Sequence, residues 1–257
     1  KWLRVLYTID MQKTTFEKER ERALLGQRFV IGVDEAGRGP LAGPVVAAAV
    51  WYRQDDFSIP ENLAKDFALI RDSKKLSEKQ REKIFDVIRE HFDVGIGIVN
   101  SETIDRVNIL QATFLAMKSA VASLRKQLAV NLPTGQAGSQ QKPKDEDFFL
   151  LVDGNQEIPN CSYAQEAVIG GDGTVKSIAA ASIVAKVTRD RMIIEYDQQY
   201  PGYGFSKHKG YGTKTHMDAL RRLGPSPIHR MSFRPVLLSL PENANQRFAN
   251  VLKPKKR

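Results

Sequence analysis

Apolar residues along this chain fall into short β-branched runs and longer stretches at helical spacing, and their alternation predicts an α/β protein. The runs at 29–33 and 45–52 are joined by a connection rich in Gly and Pro, which predicts a pair of hairpin strands with Asp34 and Glu35 in the loop between them. Ser77 followed by Gln80 forms a capping box, and Ile84, Phe85, Val87, Ile88 and Phe92 then recur at helical spacing, predicting an amphipathic helix over 77–92. A short strand is expected at 95–99. Ile104, Val107, Leu110, Phe114, Val121, Leu124 and Leu128 predict one long helix over 103–128. The continuous apolar run 148–152 suits a buried strand and stops at the turn residues Asp153-Gly154-Asn155. Another strand is expected at 167–169, stopping at Gly170-Gly171-Asp172-Gly173, and the Ala-rich stretch 175–196 predicts a helix packed closely on a neighbour.

The flanks differ from this body. Residues 15–25 carry alternating charges from Glu17 to Arg22 and predict a solvated helix, so 1–27 is read as an N-terminal extension of a domain spanning 28–236. Residues 131–146 hold Pro, Gly, Ser, Gln and Lys with almost nothing to bury, and are expected to form a mobile insertion. Residues 237–257 read as a tail, basic at 252–257.

Composition narrows the class. With 257 residues, 42% of them hydrophobic, the chain can bury a substantial core. No stretch approaches the roughly 20 apolar residues of a membrane-spanning helix, and the apolar patch within residues 1–10 lacks a secretory cleavage site, so the expected location is cytoplasmic. The one cysteine, Cys161, excludes an internal disulfide and a Cys-based zinc cluster. A formal charge of +9, from 39 Lys and Arg against 30 Asp and Glu, makes nucleic acid the first partner to consider.

Against that basic background, Asp34, Glu35, Asp153 and Asp172 lie at the ends of apolar runs or in Gly-rich turns. Carboxylates at the mouth of a hydrophobic sheet repel one another unless a cation offsets them, and hard oxygen ligands select Mg²⁺ or Mn²⁺. On the residues alone, turn-forming Asp explains the same placement equally well.

The ordered motifs add a resemblance. Ile31-Gly32-Val33-Asp34-Glu35-Ala36-Gly37-Arg38-Gly39-Pro40-Leu41-Ala42-Gly43-Pro44 closely resembles the signature of the bacterial type 2 ribonucleases H, the ribonuclease HII family. Asp72-Ser73-Lys74-Lys75-Leu76-Ser77, Asp153-Gly154-Asn155, the stretch 177–190, and His208-Lys209-Gly210-Tyr211-Gly212-Thr213 with His216 follow in the same order, so the likeness spans 28–236. Gly212 stands where many family members have Pro, which leaves that loop more freedom.

The resemblance implies a ribonuclease H-like fold, a mixed five-stranded sheet flanked by helices with a C-terminal helical extension. It implies that Asp34, Glu35, Asp153 and Asp172 bind two divalent ions, Mn²⁺ or Mg²⁺, and position the attacking water. It implies that Gly37, Arg38 and Gly39 meet the 2′-hydroxyl of a ribonucleotide, that Tyr211 stacks on the following sugar, and that Lys74, Lys186 and Arg189 lie near phosphates. The implied substrates are RNA–DNA hybrids and duplex DNA with embedded ribonucleotides, cut on the 5′ side of a ribonucleotide to leave 3′-hydroxyl and 5′-phosphate ends, and the expected enzyme is a monomer. The related ribonuclease HIII normally has Gly-Lys-Gly where this chain has Gly37-Arg38-Gly39. A noncatalytic binding module has no use for carboxylates that repel the phosphate backbone. His208, His216 and His229 read as surface or hydrogen-bonding residues rather than catalytic ones.

Overall fold

The structure, a computed structural model, describes residues 14–54, 56–131 and 143–240. Its elements, in chain order, are α1 (Glu17–Leu24), β1 (Phe29–Ala36), β2 (Val45–Tyr52), α2 (Ala64–Ala68), α3 (Glu78–His91), β3 (Phe92–Val99), α4 (Ser101–Val107), α5 (Ile109–Asn131), β4 (Phe148–Asp153), β5 (Ala164–Val168), α6 (Lys176–Gln199), α7 (Phe205–His208), α8 (Lys214–Leu223) and α9 (Arg234–Leu237). The strands form one mixed sheet in the order β3-β2-β1-β4-β5. β2 runs antiparallel to β1 and β3, and β4 runs parallel to β1 and β5.

Because successive strand side chains point to opposite faces, the apolar runs feed two cores. Phe29, Ile31 and Val33 of β1, Val45, Ala47 and Ala49 of β2, and Phe148, Leu150 and Val152 of β4 share a core with Ala116, Ala120 and Leu124 of α5. On the other face, Val30 and Leu151 meet Val175 and Ile178 at the start of α6, while Ala48 and Val50 pack with α6 and α3. The helices come close because the strands lack bulk. A Cβ at Gly97 would lie 2.0 Å from the Ala116 carbonyl oxygen, one at Gly95 would lie 2.1 Å from that of Ala120, and one at Gly32 would lie 2.2 Å from the Ser177 carbonyl carbon. The Ala-rich α6, buried along most of its first turns, is the closely packed helix its composition predicts.

Four expectations need correction. Asp34 and Glu35 belong to β1 itself, not to the loop after it, since the ladder to β2 continues through Ala36↔Val46. The predicted helix over 103–128 is two helices, broken at Asn108, whose φ of 71° leaves the helical region and whose Oδ1 accepts from Gln111 N–H to start α5. The apolar period continues across this break and so conceals it. Phe92, counted as a helical position, opens β3. β5 lies at Ala164–Val168 rather than 167–169; as an edge strand it carries polar residues, and its Glu166 pairs with Lys18 and Arg22 of α1.

Those ion pairs also revise the N-terminal reading. Phe16 is buried, and Glu19, only 1% exposed, accepts from Ser177 N–H in the first turn of α6. A carboxylate at a helix N-terminus satisfies an otherwise unpaired donor and the helix dipole. Residues 14–27 are therefore part of the body rather than an extension from it. The Ser77–Gln80 capping box forms as predicted, and α7, α8 and α9 supply the expected C-terminal helical part. Most of the stretch expected to be a mobile insertion, and the basic tail 252–257, lie outside the described residues. Among the described residues, no helix is long and apolar enough to cross a membrane.

Gly97→Ala should force α5 off the sheet and cost about 1–3 kcal/mol, read as a lowered Tm. An unchanged Tm would mean that α5 does not seat against the Gly97 backbone.

Candidate active site

The register of two parallel strands builds the site. Val33 of β1 pairs with Val152 of β4, so the next residues, Asp34 and Asp153, stand side by side at adjacent strand ends. Both occupy positions of the face turned toward α6, in step with Val30 and Leu151. Asp172 arrives from the 3₁₀ turn Gly171–Gly173 between β5 and α6, where its N–H donates to Asp153 Oδ1 at 3.3 Å. Gly171 permits this approach, because a Cβ there would sit 2.5 Å from Ile178 Cδ1 and 3.3 Å from Asp153 Oδ1. One carboxylate oxygen each from Asp34, Asp153 and Asp172 lies within 4.8 Å of the others. Glu35 does not join this trio; its carboxylate faces Arg38 Nη1 at 3.3 Å.

Burial and mutual repulsion act in the same direction here. Burial, then the charges of Glu35, Asp153 and Asp172, hold the Asp34 carboxyl well above the usual carboxylate range. Burial and then Asp172 raise Asp153. Burial also raises Glu35, with Arg38 opposing it. The ammonium of Lys74 lies 3.6 Å from Asp172 Oδ2, but that side chain is 81% exposed, so its compensation is screened by water. A close set of hard, under-compensated oxygen donors is chemically suited to a divalent cation.

Asp34, Glu35 and Asp153 line a cleft of about 240 Å³ together with Gly37, Arg38, Gly39, Lys74, Lys186, Arg189 and Tyr211. Gly37 has a φ of 99°, and a Cβ on it would lie 2.2 Å from Arg189 Nε and 2.8 Å from the Pro44 carbonyl oxygen. Only glycine fits that turn. Tyr211 is 46% exposed, and its Cε1 lies 3.5 Å from where a Gly39 Cβ would stand. Lys186 pairs with Asp190 at 2.8 Å, and burial pulls its ammonium below the usual lysine range.

Arg189 also reaches the cleft wall, but its guanidinium is held by the protein itself. It is 1% exposed, and its guanidinium donates to the carbonyls of Pro44, Ala42 and Lys209. The side chain thus ties the loop after β1 to the Tyr211 loop from inside the protein. A second buried cation went unread in the sequence. Arg230, fully buried, donates to the carbonyls of Gly43, Arg38 and Gly37. Its position two residues after Ile228, in a loop with little apolar pattern, gives no sign of burial.

The three histidines form a buried network beneath Tyr211. Ser226 N–H donates to His229 Nδ1 at 2.9 Å, which leaves the His229 proton on Nε2, facing His216 Nε2 at 3.0 Å. His216 must then carry its proton on Nδ1, which donates to the Tyr211 carbonyl at 2.9 Å. His208 accepts from Gly210 N–H through Nδ1 and donates to the Tyr203 carbonyl through Nε2. The order at His216 and His229 works only with neutral rings. Burial, then the neighbouring His216, pulls His229 down to about 4, and burial also lowers His216.

With this geometry in view, comparison with known proteins is decisive. The family model for Ribonuclease HII matches residues 31–236. The chain is 49% identical over 208 residues to Ribonuclease HII of Endomicrobium trichonymphae, covering 80% of this chain and 86% of that one. It is 44% identical over 239 residues to Ribonuclease HII of Geobacter sulfurreducens, covering 93% and 97%. The crystal structure of ribonuclease H2 from Pyrococcus horikoshii OT3 superposes with a TM-score of 0.56 at 26% identity, over 86% of this chain and 99% of that one.

The chain belongs to the ribonuclease HII family.

It is accordingly a ribonuclease H, a hydrolase that acts on the RNA strand of RNA–DNA hybrids. The matched span contains the acidic trio, the Gly37–Gly39 loop and Tyr211, together with Arg230 and the histidines that hold those loops. The histidine network gives this ribonuclease HII a defined acid sensitivity. A histidine that titrates at about 4 when folded and near its ordinary 6.5 when unfolded binds fewer protons in the folded state between those values, so stability falls as pH drops through that window. The Tm of the wild type should therefore fall more steeply than that of His229→Asn between about pH 7 and pH 5. Parallel curves would show that His229 is not held neutral.

Proposed function

We propose that this ribonuclease HII incises duplex DNA on the 5′ side of an embedded ribonucleotide, as well as cutting longer hybrids, and that Asp34, Glu35, Asp153 and Asp172 carry the reaction. The observation that carries this reading is the convergence of carboxylate oxygens of Asp34, Asp153 and Asp172 within 4.8 Å, two of which, Asp34 and Asp153, line a cleft whose other wall is the Gly37–Gly39 loop and Tyr211. Asp34, Asp153 and Asp172, with Glu35 beside them, would hold two divalent cations, Mn²⁺ or Mg²⁺. Bound there, such ions supply an activated water and neutralise charge on the attacking and leaving oxygens.

The protein's own groups do the rest. The Gly37–Gly39 backbone approaches the ribose closely enough to meet its 2′-hydroxyl, the group that separates RNA from DNA. Tyr211, half-exposed beside Gly39, offers an aromatic face to the sugar of the next nucleotide. Lys74 and Lys186 neutralise phosphates and fix register without reading bases, while Arg189 ties the loops together. The products are a 3′-hydroxyl and a 5′-phosphate. The enzyme works as a monomer in the cytoplasm, and its affinity falls as salt rises because phosphate contacts release counterions.

Asp34→Asn and Asp153→Asn should each lower cleavage of a duplex with one ribonucleotide by more than about a hundredfold, beyond the loss of a merely supporting partner. Asp34→Asn should also raise the Tm of the metal-free protein, since it removes a buried charge among like charges while keeping shape. Wild-type turnover in either variant would sink the carboxylate assignment. Tyr211→Ala should slow cutting at a single embedded ribonucleotide more than cutting of a long hybrid, because only the former offers a single junction; equal losses would reduce Tyr211 to a support for its loop.

A further inference from the structure

Two buried guanidiniums, Arg189 at the cleft wall and Arg230 behind the Gly37–Gly39 loop, pack against that loop, and among the described residues neither forms an ion pair. Burying an uncompensated cation is costly, and burial lowers Arg189 to about 10 and Arg230 to about 9, so both remain charged at neutral pH. Asp105, whose charge partly offsets Arg230, is itself engaged with Met231 N–H and with Ser232. What Arg230 receives instead is a set of carbonyls: Gly43 on Nε at 3.0 Å, Arg38 on Nη1 at 2.8 Å and Gly37 on Nη2 at 2.5 Å.

The planarity of the peptide bond gives this clamp a consequence on the other side of the loop. In a trans peptide the N–H points opposite to the C=O. With the carbonyls of Gly37 and Arg38 both drawn toward Arg230, the N–H groups of Arg38 and Gly39 are turned away from it. Gly37, Arg38 and Gly39 all line the cleft, and Arg230 does not. Neither N–H has an acceptor among the described residues. Free successive backbone donors at a polar cleft are uncommon, since such groups are ordinarily paired, and two aimed alike form a cradle for an oxygen or an anion.

We propose that Arg230 is a specificity-determining positioning residue: by holding two peptide planes, it presents the Arg38 and Gly39 N–H groups as paired donors to the 2′-oxygen of the ribonucleotide. This rests on the proposed incision at embedded ribonucleotides. Lysine keeps the charge at this position but not the fork that grips two carbonyls at once, and glutamine keeps a donor without the charge.

The test compares kcat/KM on two duplexes that differ only at the target position, one with a ribonucleotide and one with its 2′-fluoro analogue, a far weaker acceptor. For Arg230→Lys and Arg230→Gln the ribo-to-fluoro ratio should fall about fivefold to tenfold from its wild-type value, the worth of one hydrogen bond. A structural prop would slow both substrates equally, and an unchanged ratio overturns the proposal. A second measurement needs no variant: in the wild type, hydrogen exchange at the Arg38 and Gly39 amides should slow on binding the ribonucleotide duplex and not on binding the all-DNA duplex. Equal protection by both duplexes also overturns it. If the wild-type enzyme does not cut the single-ribonucleotide duplex, the underlying reading fails; if it cuts and the ratio survives in the variants, only the role of Arg230 fails.

Discussion

The structure turns on the placing of like charges where the sheet can least tolerate them. Asp34 and Asp153 are neighbours because β1 and β4 are parallel and in register at Val33 and Val152, and Asp172 is brought beside them by the turn that launches α6. Hydration is limited at Asp34, which is 5% exposed. Repulsion and desolvation there are opposed by the packing around them: two cores, one on each face of the sheet, hold the strands whatever the ends carry. The close approach of α6 over Gly32 and of α5 over Gly95 and Gly97 supplies that rigidity. Such crowding of like charges is relieved by a cation and not by a polyanion, and perturbed carboxylates of this kind cluster at functional sites.

The wall of the cleft formed by the Gly37–Gly39 and Tyr211 loops follows the opposite electrostatic plan. Against the loops of the cleft lie two buried cations solvated by backbone carbonyls, and a network of three buried histidines in which His216 and His229 share one neutral tautomeric order. Both devices take hold of loops rather than of substrate. Arg189 joins Ala42 and Pro44 to Lys209, and His216 and His208 hold the turn through Tyr211 and Gly210. Loops with few apolar contacts would otherwise open at little cost. Fully satisfied polar networks give them a single arrangement.

Much of this was legible in the chain. The strands with strong β-branched runs and the Ser77 cap could be read directly, because period and capping chemistry are local signals; the acidic positions stood out at the ends of apolar runs, but the convergence of Asp34, Asp153 and Asp172 depends on strand pairing that no local signal carries. The break at Asn108 was not legible, since a capping Asn inside a continuous apolar period leaves the period intact. β5 was placed three residues late because its side chains answer to α1 rather than to a core. Glu19 reads as one of a run of solvated helix charges and Arg189 as a residue near phosphates, and nothing in their neighbours' sequence announces that their partners are a backbone N–H and three carbonyls from segments far along the chain. Arg230 escaped for the same reason.

A donor supplied by the backbone belongs to every residue type, so substituting Arg38 or Gly39 changes the side chain and leaves the N–H in place. Sensitivity to mutation then moves to residues that set the orientation of the peptide plane: Gly37, whose φ of 99° and close contact with Arg189 admit no side chain, and the guanidinium that grips the carbonyls from behind. A recognition surface of this kind is specified mostly by residues that never touch the substrate. Their burial without carboxylate partners is costly for stability alone, and the proposed recognition by oriented peptide planes gives that cost a purpose.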